Sequence, residues 1–365
     1  MAGHSHPNTK TPASAAPARS ARKKIKWESE LSRMNPSPAL AARLPDWLLP
    51  AVLPALLLGG CAQSTATPPR IDLTPAIQVL QRESSSRHAS LRAVSMESVQ
   101  QLHQPAAERL IAVGLKDSSP MVRFTAAMVA GRRRMVSLEP RLKALRVDPN
   151  ASVRVAAIYA LARLGDTARM NELAGMLDSA DPVVRANVAM VLGRLGDRSA
   201  IPLLLTRAND PNAAVRLAVT SALARLGYHR AISSIIALSL SVYAQDHLAA
   251  LSTCRSLQNP LAVNVLLAGL RDPLPAARLI AARGLGQRGS VLGESIATYY
   301  ARGPDAHLRM LAALALGSIP VAGNTTRLAH MLDDANPRVR IAAAAGLIDL
   351  HHLATIAARL RTHNR

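Results

Sequence analysis

One spacing dominates the chain. Arg92, Arg123, Arg154, Arg185, Arg216, His247, Arg278, Arg309 and Arg340 follow one another at a constant interval, the position number rising by thirty-one at every step without an insertion. Twelve residues before each stands Leu80, Ile111, Leu142, Leu173, Leu204, Ile235, Leu266, Ala297 or Leu328. Small or aliphatic residues recur three and seven positions after it, as Val188 and Leu192 do after Arg185. A fixed period of about 20 to 50 residues marks an array of one repeated supersecondary unit, whose neighbours bury each other's apolar faces.

The unit reads as two helices. Apolar residues three, four and seven positions after the arginine form one face of a second helix. Aromatic residues make up only 2% of the chain, which favours close helix packing over a β-sandwich core. The turn between the helices carries Asp and Pro, as in Asp148-Pro149, Asp181-Pro182, Asp210-Pro211 and Asp272-Pro273. Asp caps a helix start, and Pro fits the first turn, where its missing N–H has no intrahelical partner. Gly165, Gly196 and Gly227, each eleven residues after the arginine, mark the stop of the second helix.

The stretch from Asp181 to Gly196, DPVVRANVAMVLGRLG, resembles the HEAT repeat in the roughly 30-residue bacterial form often labelled phycobilisome-lyase-like. The resemblance implies an all-α fold, an α-solenoid of about nine 31-residue helical hairpins curved into a superhelix over residues 77–355. A basic tail at 356–365 follows and suits a polar end-cap.

Ahead of the array, Trp47 to Gly60 (WLLPAVLPALLLGG) has no charge and precedes Cys61. At about 20 apolar residues per spanning helix the run is too short to cross a bilayer, but it fits a signal-peptide core. Leu58-Gly59-Gly60-Cys61 resembles the lipobox of bacterial lipoproteins, which implies that Cys61 is the lipidated first residue of the mature chain. Met34 gives a signal of ordinary length and is the expected start. Residues 1–60 are thus read as basic arm and signal peptide, and 61–76 as lipidated cysteine and tether.

The formal charge is +21, and cleavage before Cys61 leaves 36 basic and 20 acidic side chains. That surplus favours an acidic partner. Scarce aromatic rings argue against single-strand binding by base stacking, and export argues against DNA. The recurring arginines Arg123, Arg154, Arg185, Arg216, Arg278, Arg309 and Arg340 are read as structural ties. In HEAT proteins this arginine holds the neighbouring turn, which makes the Asp six residues earlier its expected acceptor. Cys254 stands where most units have Leu and is read as a buried small hydrophobe. Candidate partner contacts are Asp246-His247, where one unit lacks both the arginine and the Asp-Pro turn, and the run Arg132-Arg133-Arg134. That irregular unit is expected to give up the common tie and to open first.

No catalytic, metal-binding or cofactor motif is recognised. His351-His352 are adjacent and cannot share a helix face, and the His-Glu dipeptides of HEAT-built iron hydroxylases do not occur. The expected function is a non-catalytic protein-interaction scaffold, lipid-anchored at the bacterial cell envelope. The alternatives are a bilin lyase or lyase subunit, by family resemblance, and a cytoplasmic DNA-binding HEAT protein.

Overall fold

A computed structural model describes residues 71–99, 102 and 104–363. By contact the chain divides into residues 1–66 and 67–365, and the described residues belong to the second unit. Cys61 and the apolar run before it lie outside them.

Eighteen α-helices and no strand occur among the described residues. They pair into nine hairpins. The first four pairs are α1 (Thr74–Ser84) with α2 (Ala89–Ser98), α3 (Gln104–Gly114) with α4 (Pro120–Arg133), α5 (Glu139–Ala144) with α6 (Ala151–Leu164), and α7 (Glu172–Met176) with α8 (Pro182–Leu195). Next come α9 (Ile201–Leu205) with α10 (Ala213–Arg225), α11 (His229–Leu238) with α12 (Ala244–Cys254), and α13 (Pro260–Gly269) with α14 (Pro275–Gly286). The last two are α15 (Glu294–Tyr300) with α16 (Ala306–Ser318) and α17 (Gly323–Met331) with α18 (Pro337–His363). The helical array begins inside the expected tether, because Pro75 sits in the first turn of α1.

The repeat columns are the core. Leu80, Ile111, Leu142, Leu173, Leu204, Ile235, Leu266, Ala297 and Leu328 are all fully buried, as are Val188, Ala250, Ala281, Ala312 and Ala343. Cys254 is equally buried, and desolvation pushes its thiol up to about 11, so it packs as a hydrophobe. Gly165, Gly196 and Gly227 adopt left-handed φ where the second helices stop. In α4 the same position is Arg134, with φ 51°.

How closely successive second helices approach depends on one pair of facing positions at each seam. A methyl added at Gly131 would lie 2.5 Å from the Cα of Ala160, and one at Gly193 2.7 Å from the Cα of Ala222. Gly317 meets Gly346 in the same way. The seams these pairs occupy, α4–α6, α8–α10 and α16–α18, are the most extensive in the array. Ala224 and Thr253 stand at the equivalent places between α10 and α12, where the contact is the slightest of any neighbouring pair of second helices.

The curve closes. α18 packs against α1 and α2 of the first unit as well as against α16 and α17. Arg340 donates to Glu83 Oε1 through Nε at 3.2 Å and Nη2 at 2.6 Å. Residues 356–363 of the expected basic tail continue α18, and α18 as a whole packs against the first unit. Residues 337–358 of α18 are long and apolar enough to span a bilayer, yet half of that stretch is buried inside the array.

Candidate functional site

The recurring arginine makes a fork. Arg185 donates from Nε and Nη2 to the two carboxylate oxygens of Asp210, both at 2.8 Å, and from Nη1 to the carbonyls of Ser179 and Ala180. Arg92 holds Asp117, Arg123 holds Asp148 and Arg309 holds Asp334 in the same bidentate way. Each carboxylate lies in the next unit's turn, and one of its oxygens also accepts the backbone N–H two residues on, as Asp117 does from Ser119. Asp117, Asp148, Asp210 and Asp334, the acceptors expected for the arginines six residues on, thus give those arginines their backbone carbonyls instead, while Asp272 gives Arg278 neither. The side chain starts from the second helix and reaches its own turn with one nitrogen and the next turn with two. These ties hold the carboxyls of Asp117, Asp148, Asp210 and Asp334 below the usual carboxylate range. Arg154 and Arg216 reach only carbonyls, since Ser179 and Ser241 stand where the next turn would offer them an aspartate. Arg278 turns to the Tyr300 hydroxyl and lies over its ring.

His247 keeps the tie that it was expected to give up. Its Nε2 meets Asp272 Oδ2 at 2.8 Å and its Nδ1 meets the Ser239 carbonyl. This region is set apart by the side chains at its helix starts. Asn150, Asp181, Asn212 and Asp305 cap α6, α8, α10 and α16 through their side chains. The same position is Tyr243 in α12 and Leu274 in α14, neither of which caps; His88 of α2 and Ser119 of α4 make no side-chain cap either, but among the second helices only α12 and α14 have Tyr or Leu there. Tyr243 is 72% exposed, and Leu240 and Val242 beside it are more exposed still. Asp246 lies in the first turn of α12, half-buried.

The three consecutive arginines separate. Arg134 is exposed; Arg133 is half-buried and feels Glu108; Arg132 turns inward and donates to Glu97 at 2.9 and 3.2 Å. Arg132 opens onto a cavity of about 820 Å³ lined by the C-terminal turns of the second helices. Arg163, Arg194, Arg225, Arg255 and Arg283 line it too, with Glu97 and Asp349 as its carboxylates and Tyr159 as an aromatic wall. Cations in the last turn of a helix face the negative end of its dipole, which offsets part of their mutual repulsion. Burial lowers Arg194, Arg225 and Arg283, while burial and the charges of Arg283, Arg225, Arg288 and Arg194 bring Arg255 down to about 10. Burial outweighs the pull of Arg283 and Arg255 on Asp349 and pushes it up to about 6. Among the described residues no group of three or more His, Cys, Asp or Glu is placed to hold a metal ion.

Sequence reading singled out Arg132 but missed the rest of this lining. A signal existed: Arg132, Arg163, Arg194 and Arg225 themselves recur with the period of the array, nine positions after the tie arginines. Arg255 and Arg283 sit in other phases of the repeat, so no column leads to them.

A family model described as HEAT repeats matches residues 107–180, 138–224, 170–252 and 263–348. The chain belongs to the HEAT-repeat family. Among solved structures, this HEAT array is similar to the complex of CpcE and CpcF of phycocyanin lyase from Nostoc, at 19% identity over 66% of this chain and 97% of that one, with a TM-score of 0.42. It is also similar to human deoxyhypusine hydroxylase in complex with glycerol, at 17% identity over 77% of this chain and 96% of that one, with a TM-score of 0.35. No curated protein matches the chain.

Proposed function

We propose that the protein is a non-catalytic interaction scaffold at the bacterial cell envelope, tethered by a lipid on Cys61 and engaging a protein partner through the rim of its HEAT ring around α12 and α14. The observation that carries this reading is the pair of adjacent helix starts at which a cap gives way to Tyr243 and Leu274, beside exposed Leu240 and Val242. A lost cap costs about 1 kcal/mol, and clustered exposed apolar side chains mark a contact surface. The basic surplus favours a partner with acidic flanks.

The test exchanges contact for stability. Tyr243→Asn combined with Leu274→Asp restores two caps, so the variant melts higher and loses proximity-labelled partners that the wild type and a Val147→Ser control retain. Higher melting with an unchanged partner set counts against the rim. The tether is tested separately, by metabolic labelling with a palmitate analogue: the wild type takes up label and Cys61→Ala does not.

A further inference from the structure

Among the described residues, the lining of the inner cavity carries more cations than anions. Six arginines face a common space that has two carboxylates. Glu97 is engaged by Arg132, and Asp349 is drawn to Arg283 and Arg255 through space. The Nε groups of Arg163 and Arg283 are buried and have no acceptor among the described residues. A buried donor without an acceptor is costly, and guanidinia that share a partly desolvated space repel one another. An anion that supplies acceptors to several of their solvent-facing nitrogens at once offsets that repulsion.

The shape of the demand narrows the class of anion. Guanidinium is a planar fork matched to phosphate and carboxylate oxygens. The cavity has the volume of a small-molecule site. Filling it with charge requires many acceptor oxygens in a compact body, and each phosphate brings three oxygens and nearly two charges. Among the described residues of the lining the rings are those of Tyr159 and His229, set against six guanidinia, so recognition rests on phosphate oxygens more than on ring stacking.

We propose that the arginine-lined cavity binds a compact soluble polyphosphate, a diphosphate or longer, free or as an ester. This site is separate from the α12–α14 rim and stands independently of it. Calorimetric titration of the full chain with pyrophosphate at fixed ionic strength tests it. The account predicts saturable binding at one site per chain and a raised melting temperature in its presence. Arg225 is exposed toward the cavity, so Arg225→Gln leaves the fold intact and weakens binding about tenfold. Arg255→Gln acts likewise and raises the melting temperature of the free protein. Arg198→Gln with Arg302→Gln removes exposed charge elsewhere and changes affinity less than twofold. The proposal is overturned by the absence of saturable binding, by equal weakening in that surface control, or by displacement of pyrophosphate by equimolar hexaglutamate.

Discussion

Arg340 donates to Glu83 across 257 positions of sequence, joining the last tie arginine to a buried acid in the first helix of the array. It is the counterpart of the Arg185–Asp210 bridge, with Glu83 standing in where no following unit exists to supply an aspartate. An open solenoid has two end units, each with one uncovered face. Here α18 covers α1 and α2, and the inner turns of the second helices face a common cavity.

The ties differ in kind, and so should their deletion. Arg185→Ala leaves the buried Asp210 carboxylate without its bidentate donor, whereas Arg154→Ala loses only carbonyl contacts. Thermal melting should fall clearly further for Arg185→Ala. The sign with pH follows from Asp210, whose folded value is lowered: the stabilisation is present above the ordinary carboxylate range and is lost as pH falls through the folded value. The difference between the two variants should therefore shrink in acid. Equal losses at neutral pH would mean that the carboxylate adds nothing.

Arg134 occupies a left-handed position that glycine fills after α6 and α8. A non-glycine residue there costs about 1 kcal/mol. Arg134→Gly should raise stability by about that amount in denaturant titration; a loss would mean that its exposed side chain makes a contact worth more than the strain.

Asp349 carries the opposite pH sign. Its value is raised to about 6, so the folded protein takes up a proton before the unfolded chain does. The stabilisation linked to that proton is complete below the unfolded value near 4 and is lost as pH rises through about 6. Asp349→Asn should raise the melting temperature at pH 7 and leave it unchanged below pH 4. A uniform shift at both would place the effect in packing instead.

The repeat was legible because every hairpin solves the same packing problem, and columns such as Leu80 to Leu328 record the solution nine times. Closure was not, since it depends on small rotations accumulated over all units and on a partner for Arg340 far from the repeat register. His247 misled for a simpler reason: it departs from the column, yet its imidazole reaches the aspartate of the next turn as the arginines do, with a different carbonyl, that of Ser239, at its other nitrogen. The cavity lay between these cases, visible in Arg163 and Arg194 and hidden in Arg255 and Arg283.

The weak seam is set by Ala224 and Thr253 rather than by His247. Hydrogen exchange should be fastest among the interior second helices in α12, and slowest in α4, α6, α16 and α18, where glycine allows close approach. Uniform protection across these helices would remove the link between seam and opening.

Ring closure is tested most directly by spin-label distances in a Cys61→Ser background, in which the remaining cysteine, Cys254, is buried. One pair, Gln81→Cys with Arg338→Cys, crosses the join between α18 and α1, both sites being exposed. The reference pair, His307→Cys with Ala329→Cys, occupies the same two register positions in consecutive units. A closed ring gives matching distances for the two pairs. A broad or far longer distance between 81 and 338 describes an open superhelix and contradicts the account.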